Sequence, residues 1–368
     1  MYKINDIINT IIQGHVLDIL KQLPDESIHM CITSPPYWGL RNYSTNPQIW
    51  DGNENCNHEW GNNIKIKQSG GKGHKQDTNR GSWFESSTYF CVNCGAWKGE
   101  LGNEPTYQLY INHLIQIFNE MNRILTKDGT CWVNLGDSYA GSNQGAGTKN
   151  PTPKQASNRG TNYMSSPNHK SILSKTNIKA KSLIGIPDRF KIAMIDNGWI
   201  CRNEIIWHKP NQMPSSVKDR FTVDYEKLYF FTKNKKYYFE QQLEPLADVT
   251  IKRDKYTRQT KKGKTAQETP YAVSHLHDSK SNPKGRNKRS VWSINTKPLK
   301  DAHFAVFPPD LVEIPIKAGC VEEGIVIDPF MGSGSTAIKA MELNRNYVGI
   351  ELNPEYIEIA NSRIKEII

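Results

Sequence analysis

The chain has 368 residues, 37% of them hydrophobic, and its 47 Lys and Arg outnumber 37 Asp and Glu for a formal net charge of +10. That composition supports a real core and excludes wholesale disorder, and the length suits one large domain with insertions. There is no apolar run of the roughly 18 residues a membrane span needs, no signal-peptide pattern at the start, and an odd seven cysteines, so a cytoplasmic protein without a disulfide scaffold is expected.

In chain order, residues 27–33 (SIHMCIT) read as a short buried strand broken by Pro35-Pro36. Ile111, Leu114, Ile115, Phe118, Met121 and Leu125 then recur at helical spacing after Pro105-Thr106, with Gly129 as the stop and 130–135 as the next strand. A helix over 184–195 ends near Asn197-Gly198, and 205–207 and 228–231 read as strands. The C-terminal part alternates helix 309–318, strand 324–327, helix 335–343, strand 347–351 and helix 354–364. Such alternation predicts an α/β protein with a parallel, doubly wound sheet covered on both faces.

Three stretches break the pattern and read as insertions: 52–104, 139–182 and 249–290. The charge is concentrated in two basic tracts. Residues 249–290 hold twelve Lys and Arg against three acids, and 141–182 hold seven against none, which leaves the remainder at −6. Basic loops on an acidic body are the footprint of a protein that grips a polyanion.

Residues 325–337 (IVIDPFMGSGSTA) read as strand, loop and helix start. Gly332-x-Gly334-x-x-Ala337 matches the nucleotide-fold fingerprint, and Glu351 ends the next strand 19 residues after Gly332, placed to accept hydrogen bonds from ribose hydroxyls. Asp328 stands before the loop, where a carboxylate would repel a pyrophosphate but suits a cofactor carrying positive charge. S-adenosylmethionine, with its sulfonium and amino groups, fits that description.

Thr33-Ser34-Pro35-Pro36-Tyr37-Trp38 follows the first strand directly. Beside the DPFMGSGST loop, this turn resembles the amino-methylating DNA methyltransferases of the permuted, beta type, in which the catalytic tetrapeptide precedes the cofactor loop. The resemblance spans nearly the whole chain: TSPPYWGLR (33–41), NLGDSYA (134–140), IIWHKPN (205–211), RSVWSI (289–294), HFAVFPPDLVE (303–313), DPFMGSGST (328–336) and GIELNPEY (349–356). The specific match is to a Ser-Pro-Pro-Tyr subgroup with a cysteine-bearing insertion.

The resemblance implies a Rossmann-like methyltransferase core over 1–51, 105–248 and 291–368, with a zinc-binding insertion at 52–104 and a target-recognition segment at 249–290. It places S-adenosylmethionine against Asp328, Phe330, Gly332 and Gly334, with Ser335 and Thr336 in the same loop. Glu351 would take the ribose, and His303, Phe304 and Ala305 would close the pocket. Double-stranded DNA is the implied partner, a cognate restriction enzyme is compatible, and monomer and homodimer both stay open. Asp137 and Lys209, in loops after strands, are further site candidates; His15 stands where many relatives carry Asp after the glycine, so no role is carried onto it.

The chemistry supports the tetrapeptide independently. A base's exocyclic amine is a poor nucleophile because its lone pair is delocalised, and it must pyramidalise to attack a methyl sulfonium. Two acceptors near the amino hydrogens favour that change, here the Ser34 hydroxyl and the Pro35 carbonyl, whose direction Pro36 fixes in advance. Tyr37 offers a ring on which an extracted base can stack. In the family, the Ser form goes mainly with N4 of cytosine and the Asp or Asn form with N6 of adenine. Cytosine N4 is therefore the expected target and adenine N6 the alternative, with RNA- or protein-directed methylation and a non-catalytic binding module more remote.

Cys31, Cys131, Cys201 and Cys320 read as inert. Cys56-x-His58 and Cys91-x-x-Cys94-Gly95 instead form two close pairs joined by a longer loop, the arrangement of a closed structural zinc site, with His74 competing for the second position. The Gly/Lys/Gln-rich segment 62–80 between them could not fold unaided, so a metal staple has an energetic rationale.

Overall fold

The computed structural model describes residues 2–40, 45–61, 64–69, 83–141, 176–255, 282, 284–297 and 307–367. Its strands are β1 (Thr10–Gln13), β2 (Ile28–Thr33), β3 (Gln48–Trp50), β4 (Ile64–Ser69), β5 (Trp83–Phe90), β6 (Trp97–Gly99) and β7 (Leu125–Leu135), followed by β8 (Ile200–His208), β9 (Tyr225–Thr232), β10 (Leu243–Glu244), β11 (Arg286–Asn287), β12 (Val291–Ser293), β13 (Ile325–Asp328) and β14 (Asn346–Glu351). Eight of them form one sheet in the order β1-β14-β13-β2-β7-β9-β8-β12. β13 and most of β2 are buried, as central strands covered on both faces must be.

The sheet is mixed, which corrects the all-parallel expectation. β9 runs antiparallel to both β7 and β8, while every other pairing in the sheet is parallel. An antiparallel neighbour can be reached by a loop, whereas a parallel one needs a crossover, and residues 209–224 make that direct return. The apolar run 228–231 reads the same in either direction, so its orientation was not legible.

Helices cover both faces. Pro309–Gly319 and Ser335–Glu342 pack with Met30, Ile32, Trp132 and Val326 on one side. Val16–Leu20, Tyr107–Ile124 and Ile186–Asp196 pack with Cys31, Cys131, Val133 and Ile327 on the other. Thr106 caps its helix by accepting from the Leu109 amide at 3.2 Å. The helix ends at Ile124 rather than near Gly129, because Leu125 is buried at once as the first residue of β7 and pairs with Ile28. Residues 126–129 then bulge before the pairing resumes at Met30 and Thr130.

The Cys/His stretch contributes a second, antiparallel sheet in the order β3-β6-β5-β4. Cys31, Cys131 and Cys320 are buried and Cys201 is half-buried. Among the described residues, no helix is long and apolar enough to cross a membrane.

The chain leaves β13 for β14 on one side and β2 for β7 on the other. The crevice beyond the carboxyl ends of β13 and β2 is thus a topological switch point, where open α/β sheets bind ligands.

Candidate active site and metal cluster

At the end of β13, Asp328 is almost fully enclosed, at 2% exposure. It accepts from the Thr33 hydroxyl (2.6 Å), the Thr336 hydroxyl (2.6 Å) and the Phe330 amide (3.0 Å). Burial pushes this carboxyl above its usual range, and those three donors pull it back only in part. No cationic side chain pairs with it among the described residues. Glu351, at the end of β14, bridges to the glycine loop by accepting from the amides of Gly332 and Asn353, both at 2.8 Å. Burial raises this carboxyl too.

The two loop glycines serve different ends. Gly332, at φ +53°, faces open space: a Cβ there would meet nothing nearer than the Phe330 carbonyl at 3.9 Å. Gly334, at φ +82°, packs against Ala360, where a Cβ would come within 2.9 Å. The first leaves room for a ligand, and the second seats the helix on its neighbour rather than lining the cavity.

At the end of β2, the tetrapeptide is locked from several directions. The Tyr37 hydroxyl lies 2.9 Å from Asn134 Oδ1 and 2.8 Å from Glu226 Oε2, and Ser34 Oγ lies 3.2 Å from that hydroxyl. Glu226 is also paired with Lys209, whose ammonium sits over the Trp207 ring at 4.3 Å. The Tyr110 hydroxyl donates to the Pro36 carbonyl at 2.7 Å, fixing the Pro-Pro turn from the helix behind it. Gly136 lies against the Tyr37 ring, where a Cβ would approach to 2.6 Å.

A buried triad supports this loop. His113 contacts Glu104 and Asp51, each at 2.9 Å, and stacks between Trp50 and Trp97 with centroids 4.7 and 5.3 Å away. Glu104 also accepts from the Gly102 amide, and its own carbonyl accepts from the Trp38 indole. The second sheet is thereby tied to the residues next to the tetrapeptide.

Both motifs face one cavity of about 360 Å3, lined among others by Ser34, Pro35, Pro36, Tyr37, Asp328, Phe330, Gly332, Ser335, Thr336 and Glu351. His15 Nε2 and Ser335 Oγ, two of the few buried side-chain polar atoms without a partner among the described residues, belong to residues of this wall. Burial holds the His15 imidazole below its usual range, against the opposing pull of Asp18.

Lys209 lines the cavity. Asp137 does not: it accepts from the amides of Ser138, Gly185 and Ile186 and caps helix Ile186–Asp196. Sequence reasoning missed His15, Asn134, Glu226 and Tyr110 as site residues. Two carried a signal: Asn134 as the first residue of the quoted NLGDSYA segment, and His15 by its place after Gly14, where no role was carried onto it. His303, Phe304 and Ala305 lie outside the described residues, as do most of both basic tracts.

The Cys/His stretch brings its four residues together. One ligand atom from each of Cys56, His58, Cys91 and Cys94 lies within 4.8 Å of the others, with Cys56 and Cys91 sulfurs 3.9 Å apart and Cys94 sulfur 3.4 Å from His58 Nδ1. Tetrahedral zinc–thiolate bonds of about 2.3 Å place sulfurs about 3.7 Å apart, so the donor set fits that ion. Burial opposes the Cys91 thiolate, but donors from His58 and the amides of Cys94 and Asn93 outweigh it and hold the thiol down at about 6. Gly52 is needed beside the cluster, because a Cβ there would come within 2.9 Å of the Cys94 sulfur. His74 lies outside the described residues.

A mixed sheet with a glycine loop and an acceptor-lined tetrapeptide facing one cavity at its switch point defines a methyltransferase fold. A family profile described as DNA methylase, of the N6/N4 type, matches residues 28–362, and the chain belongs to that family. It is 33% identical to the type II methyltransferase M.Cfr9I of Citrobacter freundii over 97% of this chain and 87% of that protein. It is 32% identical to M.SmaI of Serratia marcescens over 96% of this chain and 90% of that protein. In fold it is similar to the PvuII DNA methyltransferase (cytosine-N4-specific), with a TM-score of 0.52 and 16% identity over 98% of this chain and 93% of that one. A putative DNA modification methylase from Thermus thermophilus, complexed with S-adenosyl-L-methionine, gives 0.50 and 16% over 98% and 94%.

Proposed function

We propose that this DNA methyltransferase moves the methyl group of S-adenosylmethionine onto the exocyclic N4 amine of a cytosine flipped out of double-stranded DNA at a specific site. The single observation that carries the reading is Ser34, a neutral hydroxyl rather than an acid, in the tetrapeptide beside the Asp328–Glu351 cavity. Asp328, Gly332, Ser335 and Glu351 would hold the cofactor. The bound cofactor supplies an electrophilic methyl group on a cationic sulfur.

Ser34 Oγ and the Pro35 carbonyl would accept from the two amino hydrogens, drawing the nitrogen out of conjugation. The Pro36 carbonyl is already engaged by Tyr110, whereas no donor reaches the Pro35 carbonyl among the described residues. Ser34 can donate its own proton to Tyr37, which donates to Glu226. That relay turns a hydroxyl into a better acceptor by putting a carboxylate at its far end. The amine nitrogen would take the methyl group as it leaves the sulfur, and the cationic amine would then give up one proton to solvent along the Ser34–Tyr37–Glu226 chain. The Lys and Arg of 249–290 would position the duplex through its phosphates, and the type II relatives support a cognate restriction endonuclease as a partner.

Incubation with unmodified DNA and methyl-labelled cofactor, then digestion to nucleosides, is expected to yield N4-methylcytosine. Label in N6-methyladenine alone would overturn the base assignment, and label in RNA or protein but never DNA would overturn the substrate.

The Cys56, His58, Cys91 and Cys94 cluster is read as a structural zinc site, since amine methylation needs no metal. Elemental analysis of the purified protein is expected to give one zinc per chain. Cys91→Ser should lose it and lower the melting temperature by several degrees, about 2–4 °C for each kcal/mol in a protein of this size. A zinc-free protein of unchanged stability would remove this assignment.

A further inference from the structure

The loop between β8 and β9 begins at Lys209 and returns beside Glu226, both in the cavity wall. It carries the two most exposed large hydrophobic side chains among the described residues, Phe221 at 95% and Met213 at 81%. Val217 and Val223 on the same loop, and Tyr225 at its end, are exposed as well. Among the described residues nothing covers Phe221 or Met213, and exposed apolar side chains grouped in this way mark a contact surface.

The loop is nevertheless firmly framed. The Lys209 amide donates to the Asp224 carbonyl at 2.7 Å, closing its base. The Ser215 amide donates to the Thr222 hydroxyl at 3.1 Å, closing it nearer the tip. Asn211 exchanges hydrogen bonds with Thr296 on a neighbouring segment. Arg220 lies over the Tyr139 ring at 3.4 Å, and Asp219 pairs with Lys181 at 2.6 Å. A tip held this way, with the exposed apolar Val217 and Phe221 on either side of exposed Lys218 and Arg220, suits a polyanion whose interior is apolar. Duplex DNA has that chemistry: phosphates outside and stacked bases within.

We propose that the 209–224 loop is a wedge, whose Phe221 ring enters the base stack and fills the gap left by the base delivered to Ser34–Tyr37. This rests on the base-flipping reading above. Extraction leaves two unstacked neighbours, and aromatic or apolar side chains inserted between base steps offset that loss. Lys218 and Arg220 would hold the flanking phosphates. Met213 is the second apolar group available to the same gap.

The test compares methylation of two duplexes that differ only in whether the target cytosine is paired or faces a mismatched base. Phe221→Ala is expected to lower kcat/KM on the paired duplex about ten-fold, but less than about two-fold on the mismatched one, where the base is already loosened. Phe221→Trp should restore the paired substrate, since a larger ring fills the same gap. Because Phe221 is almost fully exposed, its truncation leaves the fold intact. Equal losses on both duplexes, or no loss on either, would remove the wedge while leaving the methyltransferase reading standing. A wild-type protein inactive on both duplexes would remove that reading and the wedge with it.

Discussion

Ser34→Ala is expected to lower the methylation rate by about 10²–10³-fold, the scale of losing one preorganised charge-stabilising contact, while leaving cofactor affinity unchanged. The split follows from the geometry. Ser34 lies at the end of β2, tied to Tyr37 and Asn134, whereas the cofactor candidates hang from β13 and β14. Tyr37→Phe sharpens the test because it keeps the ring and removes only the hydroxyl that links Ser34 to Glu226. It should cost about ten-fold in rate, the loss expected when one hydrogen bond of a charge-terminated relay is removed. Single-turnover rates with saturating DNA, alongside calorimetric binding of the cofactor, separate the two effects. Full activity in Ser34→Ala would end the acceptor mechanism. A Tyr37→Phe variant as fast as wild type would confine Tyr37 to stacking.

The parts of this site legible in the sequence are those written contiguously. Asp328, Gly332 and Glu351 sit in one strand–loop–helix–strand run whose spacing is itself the signal, and Ser34–Tyr37 form one stiff turn after an apolar strand. What completes the tetrapeptide comes from afar: Asn134 lies 97 residues from Tyr37 and Glu226 lies 189 away. Glu226 precedes the apolar run 228–231 just as any surface acid would, and only the antiparallel entry of β9 brings it to the carboxyl edge. The same reversal hid the mixed character of the sheet. Asp137 misled for the opposite reason, since an acid after a strand is equally suited to a ligand or to the orphan amides of a following helix. Here the amides of Gly185 and Ile186 claim it.

Asp328→Asn should reduce cofactor affinity on the order of 100-fold, within the range for truncating one partner of a buried charge pair, without destabilising the free protein. The asymmetry comes from what surrounds the carboxylate. In the free protein it is held by Thr33, Thr336 and the Phe330 amide but by no cation among the described residues, so its charge is a burden that only a positive ligand relieves. A group whose folded pKa lies above its unfolded value costs stability as pH rises between the two, and Asn removes that cost. The melting temperature of the free variant should therefore match or exceed wild type at neutral pH, at the expense of function. The same shift sets the sign of the binding profile. A cation prefers the ionised form, so affinity should rise with pH up to the raised pKa of Asp328 and level off above it. Glu351 is raised in the same direction, so the contribution of Asp328 is the part of the slope that vanishes in Asp328→Asn. Calorimetry across acidic pH, in buffers of different ionisation enthalpy, reads both the slope and the proton released on binding. An unchanged slope, or undiminished affinity in the variant, would mean that the cofactor's positive charge is met elsewhere in the cavity.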